Sequence, residues 1–131
     1  MVLLAACSGD NGPREAVEPL KGFIGAVVAD EPQAALIGRD MLAIGGSAVD
    51  AAVAVAFALG VTLPSQTGLG GGGVCVAFDQ KTGDVRALDF RAEAPASAAA
   101  PTDKPAAVPA MVRGLYTLHA RYGHLPWSQL V

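Results

Sequence analysis

The amino-acid sequence predicts a mixed α/β (α+β) fold for this 131-residue chain. Two segments with helical spacing of apolar residues come first, an alternating segment typical of a β-hairpin follows, and a third helical segment comes after it. The length corresponds to about one domain. Because 26 residues are alanine and 16 are glycine, helices and strands must approach one another closely to reach the packing density of a protein interior.

The first predicted elements are a buried strand and an α-helix. Residues 21–29 are mostly apolar, which predicts a short strand that is covered on both faces. Asp30 predicts the N-cap of the following helix, with Pro32 in its first turn, and apolar residues recur at helical spacing over residues 34–44. The glycine pair at 45–46 ends this helix by supplying a left-handed backbone position.

A second helix and a hairpin follow. Ser47 and Asp50 have the spacing of a capping box, which predicts a helix that runs to about residue 61. This helix is apolar on nearly all sides and is therefore expected to be buried. Residues 73–79 and 84–90 predict the two strands of a hairpin, joined by a polar turn that contains Gly83.

The last third of the chain predicts a loop and one more helix. Residues 93–109 are rich in alanine, proline and serine, as loops and linkers are. A helix is predicted over residues 108–122, with one side formed by Val112, Leu115, and Leu118 or His119. Residues 125–131 predict the beginning of a further element.

Composition excludes several classes of function. A formal net charge of −3 and no cluster of lysine or arginine argue against a nucleic-acid partner. With Cys7, Cys75, His119 and His124 in no zinc-binding spacing, the sequence predicts neither a metal site nor a cofactor. We expect Cys75 to be a buried small apolar residue. The two histidines flank a helix end, and we expect them either to interact with the C-terminal charge of that helix or to be exposed to solvent. The longest apolar run, residues 51–61, is too short to span a membrane.

The amino terminus resembles a bacterial lipoprotein signal. The run Leu4-Ala5-Ala6-Cys7 is similar to a lipobox, in which a cysteine that follows small residues is acylated. Residues 1–20 are thus predicted to be a signal remnant and a flexible tether, with lipidation on Cys7. The expected location is periplasmic or in the outer envelope, anchored by lipid. The alternative is an ordinary disordered terminus.

A glycine-rich segment matches a nucleotide-binding pattern only formally. Residues 68–73 fit the spacing G-x-G-x-x-G. That fingerprint requires a strand, a loop and then a helix, so that a pyrophosphate meets a helix N-terminus. The predicted order here is helix, loop and strand. The glycines therefore indicate either a close approach of the backbone to a bulky neighbour or a turn of the chain into the hairpin.

Arg91 is the candidate binding residue. It follows the second strand of the hairpin, and strand alternation places it on the same side as Asp89. One interpretation is a structural ion pair with Asp89 or Glu93. The other is bidentate capture of a substrate carboxylate, which the planar guanidinium fork suits.

In their order along the chain, several segments resemble the γ-glutamyltransferase family of N-terminal-nucleophile hydrolases. The segments with the most specific pattern are residues 45–54 (Gly-Gly-Ser-Ala-Val-Asp-Ala-Ala-Val-Ala) and 69–73 (Leu-Gly-Gly-Gly-Gly). The others are residues 79–83, 88–91, 94–95, 108–109, 114–115, 121–123 and 125–127. The resemblance implies that residues 21–131 are an incomplete domain, the N-terminal portion of the family's large subunit, and part of an αββα sandwich.

The resemblance also implies an activity. Family members cleave their own precursor, and the threonine freed at the start of the small subunit is the nucleophile. They transfer the γ-glutamyl group of glutathione, or of related γ-glutamyl amides, to an amine or to water. The expected partners are this substrate and the small subunit from the remainder of the precursor. No threonine here lies in a matching cleavage sequence, so no catalytic residue is predicted in this chain, and the chain alone is expected to be inactive.

Arg91 matches the family arginine that binds the substrate's α-carboxylate. The sequence departs from the family at Ala92, where a glutamate is usual, and at Ala110, where a glycine is usual. These departures leave two alternatives open. One is a diverged acylase of the same superfamily, and the other is a catalytically dead, lipid-anchored binding or scaffold protein.

Overall fold

The structure is a computed structural model that describes residues 25–94 and 106–131. The predicted tether, including Cys7, lies outside the described residues. The main elements, in chain order, are helix α1 (Pro32–Ala43), helix α2 (Ala48–Thr62), strand β1 (Gly73–Phe78), strand β2 (Val85–Phe90) and helix α3 (Met111–Tyr122). A 3-10 helix follows at Trp127–Gln129. Within the described residues, no helix has both the length and the apolar character that crossing a membrane requires.

The beginning of α1 differs from the prediction by one residue. Glu31, not Asp30, is the N-cap, and its carboxylate accepts a hydrogen bond of 2.8 Å from the amide of Ala34. Pro32 occupies the first helical position, so the residue directly before it must be the cap. At the other end, Gly45 has φ +92°, which confirms the predicted left-handed stop.

The strand predicted over residues 21–29 is not found in its described part. Residues 25–29 have no regular secondary structure, and Val28 is 94% exposed. The sheet formed by the described residues has two strands, β1 and β2, and neither pairs with this segment. Apolar composition alone predicted the strand, but a strand also needs a neighbour that accepts its backbone hydrogen bonds.

Helix α2 packs closely on α1 because small residues lie between them. A Cβ atom added at Gly38 of α1 would come within 2.6 Å of Val55 on α2, so a larger residue would force the two helices apart. Val53 of α2 is fully buried and forms a core with Leu115 and Leu130. The prediction that α2 is buried on nearly all sides is wrong at its C-terminal end, where Val61 is 81% exposed.

The hairpin has the predicted strands to within one residue at each boundary. Strands β1 and β2 pair antiparallel, with Gly73 opposite Phe90 and Phe78 opposite Val85. Gly83 in the turn has φ +73°. The larger apolar side chains of β1 are exposed, whereas Cys75 and its small neighbours on the other face are half-buried.

Helix α3 begins at Met111, three residues later than predicted. Val108 forms an isolated antiparallel bridge with Glu93, and an extended bridge residue cannot also be helical. Leu115 and Leu118 are buried as predicted, but Val112 is exposed. The remainder of the loop predicted over residues 93–109 lies outside the described residues at 95–105.

Trp127 packs among three other rings. Its indole makes edge-on contacts with the rings of Phe57, Tyr116 and His119, at centroid distances of 5.7, 5.3 and 5.3 Å. The 3-10 helix is thereby fixed against both α2 and α3. Aromatic pairs of this geometry stabilise a core beyond their buried area.

Asp50 joins the start of α2 to the segment after α3. Its carboxylate oxygen Oδ2 accepts hydrogen bonds from the amide and hydroxyl of Ser47, at 2.8 and 3.0 Å, which completes the predicted capping box. The same oxygen accepts from the amides of His124 (2.9 Å) and Leu125 (3.2 Å), which lie more than 70 residues away in sequence. Asp50 is fully buried, so each of these contacts replaces water.

The other oxygen of Asp50 is less well satisfied. Oδ1 is buried and makes no hydrogen bond within the described part of the chain. The Nε2 atom of His119 lies 3.5 Å from Oδ1 and 2.8 Å from the carbonyl oxygen of Leu125. His119 lies in the last turn of α3, as expected, but its side chain is 14% exposed and belongs to this cluster, so solvent exposure is the wrong alternative for it.

Asp50 makes folding depend on pH in a defined direction. Burial alone would raise its pKa, but the hydrogen bonds donated by His124, Ser47 and Leu125 outweigh burial and hold the pKa below its ordinary value of 3.8. The stabilisation is therefore complete above the unfolded-state pKa. It is lost as the pH falls through the lower pKa of the folded state.

We predict that Asp50→Asn lowers the free energy of unfolding at pH 7 by about 3 kcal/mol, because the amide cannot replace charge-assisted hydrogen bonds. Urea unfolding from pH 7 to pH 3 measures this, and the difference from wild type should shrink at acidic pH. Ser47→Ala is the control and should cost about 1 kcal/mol, since it removes the capping hydroxyl but leaves the three backbone amides that donate to Asp50. Equal costs for the two variants at every pH would contradict the role of Asp50.

The glycine-rich loop lies against the end of β2. A Cβ atom at Gly72 would overlap the carbonyl oxygen of Phe90 and lie 2.7 Å from the carbonyl carbon of Arg91. The carbonyl oxygen of Gly71 accepts hydrogen bonds from the amides of Ala110 (2.9 Å) and Met111 (3.0 Å) at the start of α3. This confirms that the glycines allow a close approach, and the neighbour is backbone.

We predict that Gly72→Ala destabilises the protein by about 1–3 kcal/mol, because the atoms it meets belong to the backbone and cannot rotate away. Gly70→Ala is the matched control, since a Cβ there meets nothing within 4 Å and its φ is not positive. Thermal unfolding of both variants checks the prediction. A Gly72→Ala protein as stable as Gly70→Ala would show that the loop can move away from β2.

Candidate functional site

The side chain of Arg91 lies at the end of β2 and projects into solvent. Phe90, the last strand residue, packs on Gly114 of α3, where a Cβ atom would overlap its ring. Gly72 lies against the backbone on the other side. The backbone of Arg91 is therefore fixed by its neighbours, whereas its side chain is 65% exposed.

Asp89 holds both the backbone and the guanidinium of Arg91. Its Oδ1 accepts from the amide of Arg91 at 3.1 Å and from Nε at 3.0 Å. Its Oδ2 accepts from Nε at 3.0 Å and from Nη2 at 2.7 Å. Of the two ion pairs expected from the sequence, the one with Asp89 is therefore present. Among the described residues, Arg91 and Glu93 form no ion pair, and the backbone of Glu93 forms a bridge with Val108.

The pair favours the charged form of both partners. The hydrogen bonds from the guanidinium and then from the amide of Arg91 lower the pKa of Asp89. The hydrogen bond to Asp89 and the nearby negative charge raise the pKa of Arg91. Arginine is charged at physiological pH, and this contact favours the charged form further.

One edge of the guanidinium stays available. Arginine has five N–H donors, and Asp89 contacts Nε and Nη2. Among residues 25–94 and 106–131, Nη1 makes no hydrogen bond with another residue. The edge formed by Nη1 and Nη2 can accordingly donate two parallel hydrogen bonds to a carboxylate.

The glycine-rich loop does not form a phosphate site. Gly73 leads directly into β1, so the order helix, loop and strand is as predicted. The nearest helix start is that of α3, and the amides of Ala110 and Met111 there already donate to Gly71. Two of the amides at this helix start are thus engaged within the chain.

The remaining candidate residues have structural roles. Cys75 is a half-buried free thiol, and burial raises its pKa, which disfavours the reactive thiolate. His124 contributes its backbone amide to Asp50. Within the described residues, no group of three or more His, Cys, Asp or Glu side chains is arranged to hold a metal ion.

The described residues also border an apolar cleft of about 480 Å³. It is bordered by α1, α2 and the end of the chain, with Met41, Phe57 and Leu130 among its lining residues. Gln129 is the one polar side chain that lines it, and Arg91 is not part of it. Such a cleft has no group that could orient a charged substrate.

Sequence reasoning missed two contributors to this arrangement. The contact of Asp50 with His124 and Leu125 joins residues far apart in sequence, and no local pattern indicates it. The close approach of Gly72 to the Arg91 backbone also joins residues that are distant in sequence. The run of four glycines was the available signal, but it did not identify the neighbour.

Comparison with known proteins identifies the family. The sequence model of the family described as gamma-glutamyltranspeptidase matches residues 34–131. The chain is 42% identical over 116 residues to human glutathione hydrolase 7, covering 82% of this chain and 18% of that protein. It is 50% identical over 77 residues to the glutathione hydrolase proenzyme of Bacillus subtilis, covering 59% of this chain and 13% of the relative.

Solved structures agree with the sequence matches. The fold is similar to the crystal structure of Helicobacter pylori γ-glutamyltranspeptidase, with a TM-score of 0.76, 35% identity, and coverage of 86% of this chain and 37% of that one. It is also similar to the γ-glutamyltranspeptidase of Pseudomonas nitroreducens complexed with L-DON, with a TM-score of 0.72, 38% identity, and coverage of 81% and 36%.

The mixed helix-and-strand fold predicted from the sequence is confirmed by these matches. The chain spans about a fifth of the length of the curated relatives that it matches. Sequence and structure thus agree on one conclusion, which is that this chain belongs to the γ-glutamyltranspeptidase family.

Proposed function

We propose that residues 21–131 are the N-terminal portion of the large subunit of a γ-glutamyl acyltransferase or hydrolase. The substrate is glutathione or a related γ-glutamyl amide, and Arg91 binds its α-carboxylate. The observation that carries this proposal is the available Nη1–Nη2 edge of Arg91, a charged and bidentate donor on a backbone that three neighbouring segments hold in place.

Exposed apolar residues on the hairpin support an incomplete domain. Val74, Val76 and Phe78 of β1 and Val85 of β2 are each about 60% exposed or more. A contiguous apolar surface of this kind is unusual in a complete soluble domain. The remainder of the precursor, including its small subunit, would cover this surface.

The chemistry divides between this chain and the rest of the precursor. In an N-terminal-nucleophile enzyme, the precursor cleaves itself, and the threonine that becomes the new terminus attacks the γ-carbonyl carbon, with its own α-amine as the base. This chain contributes the position of the substrate. Binding the α-carboxylate at a fixed point orients the γ-carbonyl for attack, which is how positioning residues raise kcat/KM.

We predict that Arg91→Lys in the full-length protein lowers kcat/KM for a γ-glutamyl anilide roughly tenfold to a hundredfold, mainly by raising KM. Lysine keeps the charge but loses the planar fork. Steady-state kinetics and the melting temperature are measured on the same preparation.

The matched control is Arg86→Lys, which changes an exposed arginine of β2 that is also paired with an aspartate two residues before it. This variant should keep its kcat/KM. An Arg91→Lys enzyme that melts early but turns over substrate normally would contradict the binding role and make Arg91 a structural arginine.

We also propose that the protein is lipid-anchored outside the cytoplasm through Cys7. The lipobox-like run Leu4-Ala5-Ala6-Cys7, followed by a polar segment, supports this location. A hydrolase that faces the periplasm would meet γ-glutamyl compounds that leave the cell.

Metabolic labelling with a fatty acid tests the anchor, using the gene with its complete 5′ coding region. Wild type should incorporate the label, and Cys7→Ser should not, because the serine hydroxyl does not replace the thiol in lipidation. Cys75→Ser is the control and should stay labelled. Equal labelling of Cys7→Ser and wild type, or no labelling of either, would contradict the proposal.

A further inference from the structure

We propose that Asp89 is a positioning residue for Arg91, and that it turns the Nη1–Nη2 edge of the guanidinium toward the substrate. This inference rests on the proposed function, in which Arg91 binds an α-carboxylate. Asp89 itself does not contact the substrate in this arrangement. It acts by restricting the orientation of the residue that does.

The geometry of a guanidinium explains the effect. Its planar fork offers a side edge, formed by Nε and one Nη atom, and an end edge, formed by the two Nη atoms. Asp89 occupies the side edge with contacts of 3.0 Å to Nε and 2.7 Å to Nη2. A second carboxylate can then form a bidentate pair only at the end edge.

The contact to the backbone makes this orientation specific. Oδ1 of Asp89 also accepts from the amide of Arg91 at 3.1 Å, so the carboxylate is fixed relative to the chain that carries the guanidinium. That chain is held in turn by Gly72 and by the packing of Phe90 on Gly114. The direction of the free edge thus follows from the fold.

Sequence spacing alone does not produce such a pair. Asp84 and Arg86 have the same two-residue spacing near the start of β2, with similar exposure. They make one contact of 3.5 Å, and the Asp84 carboxylate makes no hydrogen bond to the amide of Arg86 among the described residues. Both pairs are exposed, and exposed pairs stabilise a protein little. The difference in geometry therefore bears on orientation more than on stability.

Asp89 also exerts an opposing effect, because its negative charge repels a substrate carboxylate. The two carboxylates would occupy adjacent edges of the guanidinium, which share Nη2, in a solvent-exposed site. At an exposed site water strongly reduces the repulsion between them, and each carboxylate also faces the positive charge of the guanidinium. We therefore expect orientation to outweigh repulsion.

The test compares two inhibitors of the full-length protein. L-glutamate has an α-carboxylate, and isoglutamine has a neutral α-carboxamide in its place. Asp89→Asn should raise the inhibition constant of glutamate roughly threefold to tenfold and leave that of isoglutamine unchanged, since only the carboxylate uses the fork. KM for a γ-glutamyl anilide should rise by the same factor, with kcat changed less than twofold.

Two further variants make the result specific. Asp89→Asn keeps an oxygen that can accept from the amide of Arg91, so its backbone stays in place, whereas Asp89→Ala should raise the constant for glutamate further. Asp84→Asn removes a negative charge from the Asp84–Arg86 pair. It should leave the inhibition constants of both glutamate and isoglutamine unchanged. In the Arg91→Lys background, Asp89→Asn should add little, because the fork is already absent.

The other outcomes are equally decisive. If Arg91→Lys raises the inhibition constant of glutamate and Asp89→Asn does not, the positioning role of Asp89 is wrong and the proposed function stands. If the Asp89→Asn variant binds glutamate more tightly than wild type, repulsion between Asp89 and the α-carboxylate dominates, and the positioning role is again wrong. If Arg91→Lys itself leaves glutamate binding unchanged, the carboxylate site is wrong, and the role of Asp89 is wrong with it.

Discussion

The hydrogen bonds of the buried Asp50 carboxylate are the interaction on which the rest of the fold depends. Oδ2 of Asp50 accepts from the amide of Ser47 at the start of α2 and from the amides of His124 and Leu125 after α3. The same atom therefore takes part in a local helix cap and in a long-range contact. Few large side chains are available to form a core in a chain so rich in alanine and glycine. A fully buried charge with four donors supplies fixed geometry where packing volume is limited, and removing it would leave those donors unpaired.

This contact bears on the position of Arg91 through α3. Asp50 holds the segment directly after the C-terminal end of that helix, and the carbonyl of Gly71 holds its N-terminal end. Between these two points, Gly114 receives the ring of Phe90, the residue before Arg91. The backbone of Arg91 is thus restrained by neighbouring segments, although its side chain is long and flexible. A binding residue requires such a fixed backbone, because its position determines where the ligand binds.

Local features of the fold were predictable because their causes are local. The capping box of Ser47 and Asp50, the left-handed Gly45 and the hairpin between Gly73 and Phe90 all depend on residues within a few positions of one another. The wrong predictions concern features that depend on contacts between distant parts of the chain. The strand expected over residues 21–29 lacks a neighbour in the described residues, and α3 begins late because Val108 pairs with Glu93.

The sequence by itself determined the family, the order of helices and strands, and Arg91 as the candidate binding residue, because motifs and periodicity are written in consecutive residues. It left the partner of Arg91 open between Asp89, Glu93 and a substrate. Only the tertiary structure decided that Asp89 takes the side edge of the guanidinium, that Gly72 lies against the Arg91 backbone, and that Asp50 and His119 share one buried cluster. These are contacts set by distance and direction in space, and linear spacing contains no information on either for residues that come together only when the chain folds.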